Sequence, residues 1–124
     1  MKEKESKFYI YILKCSDESY YIGYTNDLLT RVKYHYRGEG PAYTCKRHPI
    51  ELVFYLEFSK RYDALSTEKQ IKKWSRRKKR ALIEGDLELL RALSKNRHLR
   101  PVYFKKYLDS KTSDTARVNH TESI

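Results

Sequence analysis

The sequence predicts an α+β domain, and three observations carry that prediction. Two tyrosine-rich apolar stretches, FYIYIL (8–13) and YYIGYT (20–25), alternate as strands do and are separated by the turn-like CSDES (15–19). A third stretch, IELVFYLEF (50–58), is the strongest remaining strand. The rest, as far as Leu93, carries helical periodicity punctuated by caps and breakers. At 124 residues the chain has few positions to spare for a second core, so one domain is expected.

FYIYIL is apolar on both faces, which suits a central strand, and it forms a hairpin with YYIGYT. Taken alone, Gly23 and Thr25 would ordinarily be turn chemistry, the bland alternative to their place in that second strand. Asn26 or Asp27 caps a helix starting near Leu28, whose apolar stripe is Leu28, Leu29, Val32 and Tyr36. Arg31 and His35 lie one turn apart along an edge of that stripe. RGEGP (37–41) ends the helix and opens a loop carrying Tyr43, Lys46, Arg47 and His48. After the third strand come a helix from about Asp63 to Trp74 and a basic helix from Ser75 to Glu84. Gly85 breaks it, and Asp86 caps a leucine-rich helix through Leu93. The boundaries are therefore a charged lead (1–7), a folded domain (8–94) and a C-terminal extension (95–124). In the extension PVYFKKYL (101–108) is expected to dock as an aromatic helical turn, with a polar, disordered tail after it.

Twenty-seven Lys and Arg against sixteen Asp and Glu leave a net charge of +11, which points to a polyanionic partner. The basic run KKWSRRKK (72–79) contributes Lys72, Arg76, Arg77, Lys78 and Lys79, and the loop adds Lys46 and Arg47; these are the candidate nucleic-acid contacts. The charged start MKEKESK precedes only six apolar residues, too few for a secretory signal or a membrane span. Two cysteines make no disulfide framework, which fits reduced thiols in the cytoplasm. CKRH (45–48) lacks a second Cys/His pair at ligand spacing, so a structural zinc site is not expected.

Three features bear on chemistry. A phenol of ordinary pKa near ~10 is a poor base unless a cation stabilises its phenolate. Arg31 and His35 are placed to supply that cation, or to clamp a phosphate through the arginine fork. Glu68 falls in the arc of Ala64, Ile71 and Ser75, where a carboxylate needs a partner such as a divalent cation. Taken singly, each has a bland reading: packed tyrosines, a capping histidine, an exposed arginine, and a Glu68–Lys72 pair across one helical turn.

Taken together, the order and spacing resemble the GIY-YIG nuclease superfamily. The naming tripeptides stand as YIY (9–11) and YIG (21–23), followed by Thr25, LLTRVKYH (28–35), AYTCKRHPIELVFYLEF (42–58) and ALSTEKQIKKWSRRKKRALI (64–83). The arrangement looks like the small stand-alone bacterial branch, related to nuclease modules of excision-repair and structure-specific endonucleases. The resemblance implies a three-stranded antiparallel sheet flanked by helices, here with a helical C-terminal extension. It implies metal-dependent phosphodiester hydrolysis, with DNA as the partner and one Mg²⁺ or Mn²⁺ ion. By position it makes Tyr11 and Tyr21 the active-site tyrosines, Arg31 the phosphate clamp, His35 the supporting proton-transfer group and Glu68 the single metal ligand. Tyr9 replaces the first glycine of the family pattern, and Tyr24 stands where some relatives carry lysine after YIG. The asparagine that often follows the metal ligand is missing, the first after Glu68 being Asn96, which leaves Lys72 or Lys78 to stand in. With no second DNA-binding domain in sight, a structure-selective or weakly specific endonuclease of DNA repair or processing is expected. The rival reading is a non-catalytic nucleic-acid-binding module on the same fold. A third, a basic RNA- or ribosome-associated protein, rests on charge alone.

Overall fold

The computed structural model describes residues 6–94; the lead's first five residues, the docking turn at 101–108 and the polar tail lie outside them. Strands β1 (Phe8–Lys14), β2 (Tyr20–Thr25) and β3 (Glu51–Phe58) form an antiparallel sheet in the order β2-β1-β3. β1 is central, as its two-sided apolarity predicts: Ile10, Tyr11, Ile12 and Leu13 are all fully buried. A bulge between Ile12 and Leu13 skips one β3 residue, so Val53 and Phe54 both join the same core cluster.

Five helices flank the sheet: α1 (Leu28–Tyr36), α2 (Ala42–Cys45), α3 (Arg61–Lys72), α4 (Arg76–Glu84) and α5 (Leu87–Leu93). One face of the sheet, carrying Ile10, Ile12, Ile22 and Phe54, packs on Ala64 and Ile71 of α3, Leu82 of α4 and Leu90 of α5. The other face, carrying Tyr11, Leu13 and Leu52, packs on Val32 of α1, with Tyr21, Leu28 and Tyr55 at its rim. Local chemistry sets the helix ends. Asp27, Ser75 and Asp86 accept hydrogen bonds from the first-turn amides of Thr30, Lys78 and Leu89, and Gly85 takes the left-handed conformation (φ 74°) that closes α4.

Three sequence expectations are corrected. The buried face of α1 is Val32 and His35, whereas Leu29 is 54% exposed and Tyr36 presents its hydroxyl to the Leu52 amide. Hydrophobicity placed the stripe on the leucines, but the pocket under Tyr11 takes the histidine. Gly23 is buried inside β2, opposite Tyr11, which bears out the strand over the turn alternative. The 37–49 loop contains α2. Ser75 lies outside α3 and caps α4, so the buried stripe of α3 is Ala64, Thr67 and Ile71, with Glu68 on its edge. Among the described residues no helix is long and apolar enough to cross a membrane.

Candidate active site

The hairpin register builds the first half of the site. Tyr11 pairs with Gly23 and Leu13 with Tyr21, which puts both tyrosines on one face as diagonal neighbours, their ring centroids 6.4 Å apart. Gly23 is what lets the Tyr11 ring lie across β2: a Cβ there would collide with Cζ and Oη of the phenol.

α1 supplies the second half. His35 is fully buried, 5.6 Å from Tyr11 and 5.3 Å from Tyr21 between ring centroids. Its Nε2 is 2.9 Å from Tyr11 Oη, and its Nδ1 is 2.9 Å from Thr44 Oγ1 on α2. Thr44 is itself fully buried and donates to the Pro41 carbonyl at 3.2 Å. Gly40 completes the fit, since a Cβ there would stand 2.7 Å from His35 Nδ1. Arg31, one turn before His35, is exposed, and it lies near enough to act on the Tyr11 phenol, lowering its pKa.

Charge in the site is dominated by burial. Burial raises the pKa of Tyr11 well above a free phenol; Tyr21 and Glu68 push it further up, and Arg31 opposes them by charge and hydrogen bond. Tyr21 is raised by burial too, against the positive charges of Lys72 and Arg31. His35 falls to about 4, through burial first and then Arg31 and His48. Burial therefore favours a neutral His35 and protonated phenols at neutral pH.

That histidine leaves a measurable signature. Its folded pKa of about 4 lies below its ordinary 6.5, so between these values the unfolded chain binds the extra proton. Its contribution to stability is complete above pH 6.5 and is lost as pH falls toward 4. Urea denaturation at pH 7 and pH 4.5 should show a loss about 2 to 3 kcal/mol larger in wild type than in His35→Gln, the carboxylates cancelling between the two. Equal losses in both proteins would mean that His35 is not held neutral.

The acidic member comes from α3, which packs on β1 and β2. The Glu68 side chain is 17% exposed, and its charge is near enough to push up the pKa of both Tyr11 and Tyr21, although it is the smallest of the influences on each. It also pairs with Lys72 at 3.1 Å. Of the two lysines considered as stand-ins for the missing asparagine, Lys72 is at the site, whereas Lys78 lies 4.1 Å over the Trp74 ring. Among the described residues no group of three or more His, Cys, Asp or Glu side chains is gathered to hold a metal. A lone hard carboxylate fits Mg²⁺ or Mn²⁺, which take one or two protein carboxylates and complete their shell with water and phosphate oxygens.

The predicted nucleic-acid contacts divide. Lys46 is exposed, but Arg47 is engaged locally, bonding Asp17 at 3.0 Å and stacking 3.8 Å over Tyr43. Arg76 lies 4.6 Å over the Tyr20 ring, in a 440 Å³ cleft shared with Glu18, Glu51 and Glu84. Arg77 is exposed, while burial lowers the Lys79 pKa. Sequence reasoning missed Arg61, which with Arg31 lines a 400 Å³ groove. It also missed Thr44; the one trace of it was a threonine in the loop that returns from α1.

A three-stranded sheet with paired tyrosines, an Arg-x-x-x-His helix against one face and a glutamate on the helix after β3 defines a GIY-YIG domain. The family model described as the GIY-YIG catalytic domain matches residues 7–81, and the chain belongs to that family, within its small stand-alone UPF0213 branch. A UPF0213 protein of Haloquadratum walsbyi is 50% identical over 81 residues, covering 65% of this chain and 91% of that one. UPF0213 protein YazA of Bacillus subtilis is 47% identical over 76 residues, 61% of this chain and 77% of YazA. The solution NMR structure of a UPF0213 protein from Bacillus halodurans is 34% identical, covers 86% of this chain and 97% of that chain, and superposes with a TM-score of 0.44.

Proposed function

We propose that this protein is a cytoplasmic endonuclease that hydrolyses DNA phosphodiester bonds with the help of one Mg²⁺ or Mn²⁺ ion. The observation that supports the reading is the cluster of Tyr11, Tyr21 and His35, whose phenols lie within electrostatic reach of Arg31 on α1 and Glu68 on α3. A small folding domain has little use for an arginine, two phenols and a partly buried carboxylate in one place unless they meet a ligand. Nucleases of this family generally use a divalent metal, and Glu68 is the residue that would hold it. When bound, such an ion supplies Lewis acidity and neutralises phosphate charge.

The residues divide by reach. Tyr11 and His35 are fully buried, so they act from behind. Tyr21 is only partly buried and is the phenol a substrate water can approach. Tyr21 is protonated at rest, so it orients that water through its hydroxyl. As the water forms its bond to phosphorus and the P–O bond opposite breaks, the water's proton leaves to solvent and the departing oxygen takes one from solvent. Arg31, exposed at the rim, binds the non-bridging oxygens and stabilises the growing negative charge. A structure-selective role in DNA repair or processing suits a domain whose positive charge is spread over its surface.

The Glu68–Lys72 ion pair supports the second reading, a binding module in which that carboxylate is only a helix partner. One set of measurements decides. Labelled linear and branched DNA is incubated with the protein in Mg²⁺, in Mn²⁺ and in EDTA, and binding is titrated against salt in EDTA. Cleavage in metal and none in EDTA is expected. So is affinity that falls steeply with salt, with a shallower slope when Arg76, Arg77, Lys78 and Lys79 are all neutralised. Tight, salt-dependent binding without cleavage of any substrate selects the binding module, and salt-independent binding removes the electrostatic reading.

A further inference from the structure

The buried side of the site holds a chain of hydrogen-bonded polar groups that starts on α2: Pro41 carbonyl, Thr44 hydroxyl, His35 imidazole and Tyr11 phenol, with the Arg31 charge acting on the phenol from the rim. Each link has a direction, because the groups differ in what they can give. Arginine only donates, a carbonyl only accepts, and each hydroxyl has one proton. At one end Thr44 spends its proton on the Pro41 carbonyl, at 3.2 Å. Its oxygen, 2.9 Å from His35 Nδ1, is then left to accept, which requires Nδ1 to carry the imidazole proton. Nε2 becomes a bare lone pair 2.9 Å from Tyr11 Oη, and it takes the phenol proton. The phenol oxygen thereby turns its lone pairs outward, toward the arginine.

We infer that Thr44 is a positioning residue: by fixing His35 as the Nδ1–H tautomer, it makes the Tyr11 oxygen an acceptor that holds Arg31 in its phosphate-binding pose. The structure gives this chain every mark of a preorganised support. Thr44, His35 and Tyr11 are all fully buried, so water does not compete for the links. Gly40 leaves room for the His35 ring, and Gly23 for the Tyr11 ring. The neutral state of His35 is the one the chain requires. The inference rests on the reading of Arg31 as the phosphate clamp for its catalytic consequence, but the tautomer itself is independent of any activity.

The test is therefore spectroscopic first. In ¹⁵N-labelled protein at pH 7, long-range ¹H–¹⁵N correlations of the His35 ring should show a protonated Nδ1 and an unprotonated Nε2. Thr44→Ser keeps the hydroxyl and should keep that pattern. Thr44→Val, nearly the same shape without the acceptor oxygen, should lose it, giving a mixture or the Nε2–H form. Cleavage of a labelled duplex should follow the tautomer, with kcat about tenfold or more lower in Thr44→Val and close to wild type in Thr44→Ser. A wild-type ring protonated on Nε2 overturns the inference, as does a folded Thr44→Val protein with an unchanged tautomer. If Thr44→Val does not fold, the wild-type and Thr44→Ser spectra decide. The predicted tautomer in a protein that cleaves no DNA would count against the nuclease reading and leave this arrangement standing.

Discussion

Glu68→Gln should leave a folded protein whose metal-dependent cleavage is lower by about two orders of magnitude or more. The substitution keeps the shape of the side chain and removes its charge, so Ala64, Thr67 and Ile71 stay packed beneath it. What goes is the carboxylate proposed to hold the metal, and with it the capacity to hold a hard cation there, an effect worth several kcal/mol of transition-state stabilisation. DNA affinity in EDTA should be unchanged or slightly higher, because a negative charge facing the phosphates has gone. A Lys72→Met variant separates the two uses of the same ion pair. If Glu68–Lys72 is only a helix pair, it contributes about 0.3 to 0.5 kcal/mol, and both substitutions should then shift stability by about that much and leave cleavage alone. If Glu68 serves a metal, the two variants behave differently, and only Glu68→Gln is inactive. Full cleavage by purified Glu68→Gln would end the proposed mechanism.

Much of the fold was legible because its signals are local. β1 is apolar on both faces because it is central, and Asp27, Gly85 and Asp86 mark helix ends by their own side-chain or backbone chemistry. The site residues were legible in part through their spacing, which is a property of one strand pair and one helix. The support behind them was not. The α1 stripe read from hydrophobicity favoured Leu29, but a buried hydrogen-bond partner on β1 outweighs apolar area and turns His35 inward instead. Thr44 carries no periodic signal at all; it matters only because α2 folds back under a ring nine residues earlier in the chain. The protonation of the phenols was not legible for a related reason. Sequence shows which charges are near, but not how much water has been removed, and at Tyr11 the removal of water is the larger effect.

Gly23→Ala is the smallest change that should disable the site. Gly23 has no unusual backbone conformation to protect, and alanine is sterically acceptable in a strand, so a surface position of this kind would tolerate the methyl group with little effect. Here the methyl would overlap Cζ and Oη of the Tyr11 phenol, with Cε1 at 2.9 Å, in the fully buried heart of the central strand. The strand pair or the ring has to move. If β2 shifts, its pairing with β1 loosens; if the ring moves, His35 Nε2 loses its 2.9 Å partner and is left buried and unsatisfied. Overpacking and a lost buried hydrogen bond each destabilise by about 1 to 3 kcal/mol, so a total of about 2 to 6 kcal/mol is expected, with cleavage reduced about a hundredfold. The steric origin is testable apart from the loss of function. Tyr11→Leu removes the phenol end that the methyl strikes, so Gly23→Ala in a Tyr11→Leu background should cost little more than Tyr11→Leu alone. In urea denaturation the two substitutions should miss additivity by more than 1 kcal/mol, as residues sharing one space do. Gly23→Ala with wild-type stability and activity, or two effects that simply add, would show that Tyr11 does not depend on the missing side chain.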